Sequence, residues 1–155
     1  MKVRDYMSAD VVSVGRAANV AEIAALLKKN AISGVPVVDE ESRLLGTVTH
    51  EELLSIFIPH YLSMFDELAF LDDLEAIEAQ SIAEIEPSLF LAEDVMVRNP
   101  VSVKPGTSIM KAAALLLNRK LAFLPVVDER GLVVGVLNGS DVSCAFTAAP
   151  TEEGQ

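Results

Sequence analysis

The sequence has few of the residues that form disulfides, metal sites and contacts to phosphate-rich partners. Its 155 residues include one cysteine, two histidines and 12 Lys and Arg in total. The lone Cys144 excludes an internal disulfide, fits a reducing compartment and is expected to be a small buried apolar residue. His50, His60 and Cys144 have no metal-ligand spacing, so we expect no metal site.

Charge and hydropathy exclude further classes of partner. A net charge of −11 leaves too few clustered cations to neutralise phosphates, so we expect neither nucleic acid nor an anionic membrane surface as partner. No apolar run approaches the roughly 18 residues of a membrane-spanning helix. Residues 1–5 are followed by no apolar stretch typical of a signal peptide. We therefore expect a cytoplasmic protein without membrane insertion.

Familiar catalytic motifs are also missing. The sequence has no Gly-x-Ser-x-Gly, P-loop or Gly-x-Gly-x-x-Gly pattern, and nothing in it supports an active site made of carboxylates alone. Hydrophobic residues nevertheless make up 51% of the chain, which is enough to bury a core. The sequence therefore predicts a folded protein that is not an enzyme.

An internal repeat organises the chain. The segment Pro-Val-Val-Asp-Glu occurs at residues 36–40 and again 89 residues later, at residues 125–129. The same offset aligns the two copies without a gap from Asp5 to Glu52. We infer two copies of a unit of about 50 residues. The predicted divisions are unit 1 at 1–55, an insert at 56–91, unit 2 at 92–146 and a flexible tail at 147–155.

Both copies have the predicted element order β-α-β-β-α. Unit 1 has a strand at 11–14, a helix at 19–29, strands at 35–39 and 44–49, and a helix after Thr49. Unit 2 has a strand at 101–103, a helix at 108–117, strands at 124–128 and 133–137, and a helix after Asn138. Asn19 and Glu22 are spaced as a capping box, and Gly131 permits a positive φ in the second hairpin turn.

The predicted fold class is α/β, of the α+β kind, with two units in a pseudo-twofold tandem and a mainly helical insert between them. A unit this small buries too little surface to be robust alone. We therefore expect the two units to pack sheet against sheet around one shared core. Clefts between the copies are the expected place for ligands.

The insert has apolar residues at helical spacing. They are Tyr61, Phe65, Leu68, Leu71, Leu74 and Ile77. Pro59 suits a helix start and Pro87 a helix stop. Two interpretations stand: connecting helices packed on the units, or a docking face for a partner or a second protomer. The acidic residues lack the spacing of a known Ca²⁺ or Mg²⁺ loop, which favours a solvated face.

Three short motifs, each present twice and in the same order, carry a family resemblance. The first is Asp-x-Met at residues 5–7 and 94–96, and the second is the Pro-Val-Val-Asp strand. The third, Gly-x-φ-Thr-x-x-Asp, has counterparts at residues 46–52 and 135–141. Together they resemble a tandem pair of cystathionine-β-synthase-type (CBS) domains, also called a Bateman module.

The resemblance implies a function and an assembly. Such pairs bind adenosine-containing ligands, namely AMP, ADP, ATP or S-adenosylmethionine, in clefts between the two domains. They commonly form homodimers shaped as a flat disc of four domains. They usually regulate a partner protein, whose identity the sequence does not indicate, and they need no obligatory cofactor.

The resemblance also implies two groups of ligand-binding residues. In the family, the Asp of the third motif accepts hydrogen bonds from the ribose hydroxyls, and the Thr of that motif contacts the phosphate. The adenine lies against the first strand and the residues just before the Pro of the second motif. The group in unit 2 comprises Asp141, Asn138, Val101, Ser102, Ala122, Phe123 and Leu124. The group in unit 1 comprises Thr49, Glu52, Val12, Ser13, Ser33, Gly34 and Val35.

Each group departs from the family pattern at one position. Glu52 replaces Asp and is one methylene too long for the ribose position, whereas Asn138 replaces Thr but can still donate to phosphate. We therefore rank the Asp141 group first. Helix capping alone also accounts for both polar pairs, and Phe123 fits an adenine slot or a core equally well. The alternative function is a ligand-free scaffold for dimerisation or protein interaction; a small enzyme is a distant third.

The acidity of the chain bears on the ligand. A free triphosphate brings several negative charges to an acidic protein. A monophosphate, an adenosine-like ligand or a cation-bridged polyphosphate is therefore easier to accommodate. The basic residues near the predicted groups are Arg16, Arg98, Lys104 and Lys120.

Overall fold

A computed structural model describes residues 1–59, 62 and 74–148. Helices in these ranges are α1 (Val20–Asn30), α2 (His50–Phe57), α3 (Glu75–Glu84), α4 (Ala92–Val95), α5 (Ile109–Asn118) and α6 (Gly139–Thr147). Strands are β1 (Val14–Gly15), β2 (Gly34–Val38), β3 (Leu44–Thr49), β4 (Val97–Arg98), β5 (Phe123–Val127) and β6 (Val133–Asn138). The predicted mixed α and β fold with two tandem units is confirmed.

The first strand of each unit is shorter than predicted. In unit 1 it is reduced to β1, which pairs parallel with the end of β2. In unit 2 a single parallel bridge remains, between Val103 and Val126. The residues just before these contacts leave the sheet to line the clefts described below, so they form no ladder.

Positions related by the offset of 89 meet each other across the molecule. Arg43 bridges Leu132, its own equivalent in unit 2. Leu44 N donates to Gly131 O at 3.2 Å, and the symmetric bond runs from Val133 N to Ser42 O at 2.9 Å. A pseudo-twofold axis therefore passes between the two hairpin turns.

The two units exchange their N-terminal segments. Ser8 of unit 1 exchanges two backbone hydrogen bonds with Val136 of β6, at 2.9 and 3.0 Å. In the symmetric contact, β4 of unit 2 pairs antiparallel with β3 of unit 1. The sheet of unit 1 consequently has the order β1-β2-β3-β4, with its last strand supplied by the other unit.

The exchange completes two hydrophobic cores instead of the single shared core that we expected. The first contains Val20, Ile23, Leu27, Val35, Val37, Val48, Leu53 and Ala92. The second contains Val3, Val103, Ile109, Ala112, Leu116, Leu124, Val126, Leu137, Val142 and Ala145. Val3 and Ala92 are fully buried, and each lies in the core of the other unit. Each core therefore depends on a segment that is remote in sequence.

The Asp-x-Met and glycine motifs are explained by one contact. A Cβ built at Gly46 would lie 2.6 Å from Met96 Sδ and 2.7 Å from Val97 O. At Gly135 it would lie 2.6 Å from Met7 Sδ. The methionine of each exchanged segment thus packs where the glycine of the other unit leaves room. These motif residues are structural.

The acidic residue that ends each Pro-Val-Val-Asp strand organises the following turn. Asp39 Oδ1 accepts the backbone N–H of Glu41 and that of Arg43, both at 2.9 Å. Asp128 has the same arrangement. The predicted positive φ of Gly131 is present at 79°, and Ser42 has 67° at the equivalent position.

The insert is described in part. α3 ends at Glu84, before a 3-10 turn at Pro87–Leu89, so the predicted stop near Pro87 holds. The predictions for residues 60, 61 and 63–73, and for the tail from residue 149, lie outside the described residues. Thr147 belongs to α6 and not to a tail. None of the described helices has the length and apolar character needed to cross a membrane.

Cys144 is exposed, so the expectation of a buried cysteine is wrong. It lies on α6, whose buried residues are Val142 and Ala145. With about 100° of rotation per residue, Cys144 lies away from the stripe that these two residues form. Its exposure follows from the helical phase, which is set by the core contacts.

We predict that Gly46→Ala destabilises the fold by about 1–3 kcal/mol, because a backbone oxygen and a packed methionine must both shift. Urea denaturation measures the loss. Gly139→Ala is the matched control: no atom lies within 4 Å of its added Cβ, and we expect a change within about 0.5 kcal/mol. Equal effects of the two substitutions would contradict the packing explanation.

Candidate functional site

Two clefts lie between the units, one on each side of the pseudo-twofold axis. The smaller, here the Asp141 cleft, has a volume of about 280 Å³. It is lined by Ser8, Asp10, Val12, Ile32, Ser33, Gly34, Phe123, Val136, Asn138 and Asp141. The larger, here the Glu52 cleft, has a volume of about 440 Å³. Its lining includes Thr47, Thr49, Glu52, Val97, Asn99, Val101, Leu121, Ala122 and Phe123.

The two clefts are equivalent by the repeat. Asp10 and Asn99, Val12 and Val101, and Ser33 and Ala122 are each separated by the offset of 89. The polar pair Asn138 and Asp141 corresponds in the same way to Thr49 and Glu52. The pseudo-twofold packing has therefore built the same cleft twice.

Each cleft combines the helix start of one unit with the loop and strand start of the other. Asn138 and Asp141 face Val12, Ser33 and Gly34. In the second cleft, Thr49 and Glu52 face Val101, Ala122 and Phe123. Each cleft therefore combines residues from both of our predicted groups, and ten of the fourteen predicted residues line a cleft.

The exchanged segments explain the regrouping. Ser8 pairs with β6 beside Val136, so the residues that follow it run along unit 2. Asp10 and Val12 thereby reach the cleft lined by Asp141. A repeat found in sequence shows which residues are equivalent, but it does not show that these segments cross between units.

Four predicted residues lie outside both clefts. Val35 and Leu124 are fully buried in the two cores, because successive residues of a strand point to opposite faces. Ser13 lines a different cavity. Ser102 is exposed and belongs to neither cleft lining.

The sequence reasoning missed some cleft residues. Asp10 and Asn99 precede the predicted Val12 and Val101 by two residues, and they were missed because no motif of the repeat includes them. Arg119 was missed because it follows a helix end with no motif around it. Of the basic candidates, Lys120 lines the Glu52 cleft.

The other basic candidates lie outside the two clefts. Arg98 Nη2 donates to the backbone oxygen of Glu93 at 3.0 Å. Lys104 Nζ donates to the backbone oxygen of Asp128 at 2.8 Å. Arg16 lines the cavity that contains Ser13. None of these three lines either cleft.

Asn138 and Asp141 form a capping box at the start of α6. Helix capping was our alternative explanation for this pair, beside contact with a ligand. Asn138 N donates to Asp141 Oδ2 at 2.9 Å, and Asp141 N donates to Asn138 Oδ1 at 3.0 Å. Within the described residues, Asp141 Oδ1 accepts no hydrogen bond. Since Asp141 is half-buried and lines the cleft, capping leaves one carboxylate oxygen available there.

Thr49 and Glu52 form the equivalent capping box, with an additional hydrogen bond between their side chains. Glu52 Oε2 accepts the Thr49 backbone N–H at 2.8 Å and also accepts the Thr49 hydroxyl in a short hydrogen bond. The extra methylene of glutamate lets its carboxylate fold back over the helix start. The Thr49 hydroxyl is consequently less available to a ligand than the Asn138 amide.

Phe123 is a wall shared by the two clefts. Its side chain is 8% exposed, it lines both cavities, and it belongs to neither of the two core clusters. Gly34 is its equivalent in unit 1, and a Cβ there would lie 2.7 Å from Phe123 Cε1. A single aromatic ring therefore occupies the space at the axis.

A third cavity, of about 760 Å³, lies between the loop before α1 and the first hairpin turn. Three of its five charged side chains, those of Asp39, Glu41 and Arg43, already form a hydrogen bond or an ion pair within the protein. Arg43 forms a 3.0 Å ion pair with Glu41, and Asp39 accepts two backbone N–H groups. The bond from the Arg43 N–H is the largest cause that holds the pKa of Asp39 below its ordinary value. The two clefts are therefore the better candidate site.

Comparison with known proteins gives a consistent picture. The CBS domain pattern matches residues 3–58 and 92–147. An uncharacterised protein of Methanocaldococcus jannaschii is 26% identical over 152 residues, which cover 92% of this chain and 89% of that protein. The chloroplastic protein CBSX2 of Arabidopsis thaliana is 29% identical over 126 residues, 76% of this chain but only 50% of that protein.

Solved structures match over almost the whole chain. A crystal structure of CBSX2 in complex with AMP has a TM-score of 0.71 and 26% identity, and the match covers 94% of this chain and 95% of that one. A second crystal structure, of the CBS-pair protein CBSX2 from Arabidopsis thaliana, has a TM-score of 0.73 and the same identity. The similarity therefore includes both units and their mutual arrangement.

The pKa shift of Asp39 leads to a prediction. Its carboxyl should titrate below its ordinary value of 3.8 in a carbon-detected NMR titration. A lowered pKa means that the carboxylate stabilises the turn above the unfolded-state pKa, and that this contribution is lost as pH falls through the folded-state pKa. Arg43→Ala keeps the backbone donor and should keep most of the shift. Loss of the whole shift in that variant would contradict the hydrogen-bond explanation.

Proposed function

Because the chain belongs to the CBS domain family, as a tandem pair, we propose that it is a regulatory module that senses adenosine-containing ligands. AMP, ADP, ATP and S-adenosylmethionine are the proposed ligands, bound in the Asp141 and Glu52 clefts. The observation that carries the proposal is the pair of equivalent clefts, each with a carboxylate at a helix start. The AMP complex of the similar protein CBSX2 supports the ligand class.

Asp141 suits the ribose of such a ligand. Its free Oδ1 can accept a hydroxyl donor, and carboxylates form strong hydrogen bonds of this kind. The Asn138 amide beside the α6 helix start can form a hydrogen bond with a further polar group of the ligand. Val12 and Phe123 supply apolar surface for the base. The proposed Asp141 site therefore has a partner for each part of an adenosine ligand.

The Glu52 cleft supports the same role less directly. Its carboxylate is engaged by Thr49 through two donors, so a ribose there has to share Oε2 or use Oε1. The cleft is larger, and Val101, Ala122 and Phe123 form an apolar side. We propose that both clefts bind ligands, with different contacts.

The capping boxes favour a second candidate function. Both carboxylates contribute to helix starts without any ligand, which is the state expected of a scaffold that only dimerises or holds a partner. We propose binding and not catalysis for either candidate. The available Asp141 oxygen favours the sensing role over the scaffold.

The proposed assembly is a cytoplasmic homodimer that acts on a partner protein. Large apolar side chains are exposed on the outer helices of unit 2: Met110 at 69% and Leu117 at 77% on α5, and Phe146 at 46% on α6. The positions equivalent to Met110 and Leu117 on α1 are Ala21 and Lys28. Exposed apolar patches typically mark interfaces, so we place the dimer contact on α5 and α6.

A thermal-shift panel with AMP, ADP, ATP and S-adenosylmethionine tests the sensing role. A ligand at about 100 times its dissociation constant adds about 2.7 kcal/mol, which is a rise of roughly 5–10 °C for a chain of this size. Asp141→Ala should remove the part of the rise that comes from its cleft, because the ribose acceptor is lost.

Asp94→Ala is the matched control for that substitution. Asp94 Oδ2 accepts the Leu91 backbone N–H at 3.0 Å, so the variant loses a similar helix cap outside both clefts. It should lower the melting temperature, as Asp141→Ala does, yet keep the full ligand-induced rise. If no ligand stabilises the folded wild-type protein, the scaffold becomes the better conclusion.

The dimer contact is tested by Leu117→Lys, which gives unit 2 the residue that unit 1 has at the equivalent position. We expect sedimentation velocity to show a dimer for the wild type and a monomer for the variant, because a lysine charge is costly in an apolar interface. Lys28→Ala, on the other unit, should leave the mass unchanged. A dimer that survives Leu117→Lys would place the interface elsewhere.

A further inference from the structure

The two clefts are built from equivalent positions of the repeat but differ in the charge of their lining residues. The Glu52 cleft is lined by Arg119 and Lys120. Their equivalents in unit 1 are Asn30 and Ala31. The Asp141 cleft has two carboxylates, Asp10 and Asp141, and no basic residue among its described lining. The duplication has thus preserved the backbone while the charge has diverged.

The cations of the Glu52 cleft have no other described partner. Arg119 and Lys120 are exposed, and neither side chain makes an ion pair or a hydrogen bond with any residue in the described ranges. In the last turn of α1 the basic residues are Lys28 and Lys29, where they complement the helix dipole. In unit 2 the basic pair instead follows the helix end, at the cleft.

The backbone holds this position in place. Lys120 has a φ of 52°, and its equivalent Ala31 has 53°. The next residue, Leu121, donates its N–H back to Leu116 O at 3.0 Å, which closes the helix end. The fold therefore places residue 120 beside the cleft, and the type of side chain at this position determines the charge there.

On the basis of the proposed function, we infer that Arg119 and Lys120 make the Glu52 cleft selective for adenosine ligands that carry a phosphate. The Asp141 cleft selects adenosine derivatives without a phosphate, such as the S-adenosylmethionine sulfonium cation. The two clefts thus sense two chemical classes of ligand.

Elementary electrostatics supports the assignment. Guanidinium and ammonium groups form strong charge-assisted hydrogen bonds with phosphate oxygens. In the Asp141 cleft a phosphate would meet Asp10 and Asp141, which repel it. Glu51 and Glu52 also line the Glu52 cleft, so the phosphate belongs at its Arg119–Lys120 end.

The chain itself supplies the substitutions for a test. Arg119→Asn with Lys120→Ala gives the Glu52 cleft the residues of the other unit, and Ala31 demonstrates that alanine accepts this backbone conformation. Isothermal titration is done with AMP, adenosine and S-adenosylmethionine. All variants are made on Asp141→Ala, which leaves the Glu52 cleft as the intact site.

In that background we expect AMP to bind at least about tenfold more tightly than adenosine, the size of one charge-assisted hydrogen bond. The double substitution should weaken the binding of AMP and leave the binding of adenosine unchanged, so that the two affinities become similar. The AMP preference should also fall with added salt, because both cations are exposed.

The reciprocal test uses Asp10→Asn on a background that combines Glu52→Ala with Arg119→Asn and Lys120→Ala, so that the Glu52 cleft no longer binds AMP. Asp10→Asn gives the Asp141 cleft an asparagine, which is the residue that the Glu52 cleft has at the equivalent position, Asn99. We expect AMP to bind more tightly and S-adenosylmethionine more weakly. Asp10 is exposed and makes no hydrogen bond with the described residues, so the variant should fold normally.

The outcomes separate the inference from the proposed function. If the AMP preference survives the double substitution, or Asp10→Asn changes neither affinity, the charge assignment is wrong while ligand sensing stands. If the folded wild-type protein binds none of the three ligands, the proposed function fails and the charge assignment fails with it.

Discussion

The exchange of N-terminal segments is the constraint on which the rest of the molecule depends. Ser8 is held on β6 by two backbone hydrogen bonds, and β4 is held on β3 in the symmetric way. These contacts bring Val3 and Ala92 into the cores of the opposite units. They also carry the loops at Asp10 and Asn99 across to the opposite helix starts. Folding of one unit and construction of both clefts therefore share the same contacts.

The motifs that mark the family serve this architecture before they serve any ligand. Met7 and Met96 fill the space left by Gly135 and Gly46, which fastens each exchanged segment to its sheet. Asp39 and Asp128 close the hairpin turns, and the turns meet at the axis. The last motif supplies each cleft with a carboxylate, which caps a helix and can also face a ligand. One side chain can therefore contribute to both stability and binding.

A duplicated scaffold allows its two clefts to differ without a change of fold. The backbone geometry is maintained by the symmetric contacts, whereas side chains such as Asp10 and Asn99, or Ala31 and Lys120, are free to diverge. Phe123 is less free to diverge, because its position on the axis makes it part of both clefts, and Ser33 also lines both. Its partner at the axis is a glycine, since there is room for only one ring. A ligand in either cleft would contact this shared side chain.

The sequence by itself determined the repeat, the element order, most helix and strand limits and the identity of the polar pairs. These depend on local chemistry and on residue spacing, which a linear pattern records. The tertiary structure decided which residues share a cleft, because the crossing of Ser8 and its equivalent is a long-range pairing without a local signal. It also moved Val35 and Leu124 into the cores and Cys144 to the surface, since strand alternation and helical phase are fixed only by packing. Arg119 became a cleft residue for the same reason: the neighbours of a helix end are chosen by the fold.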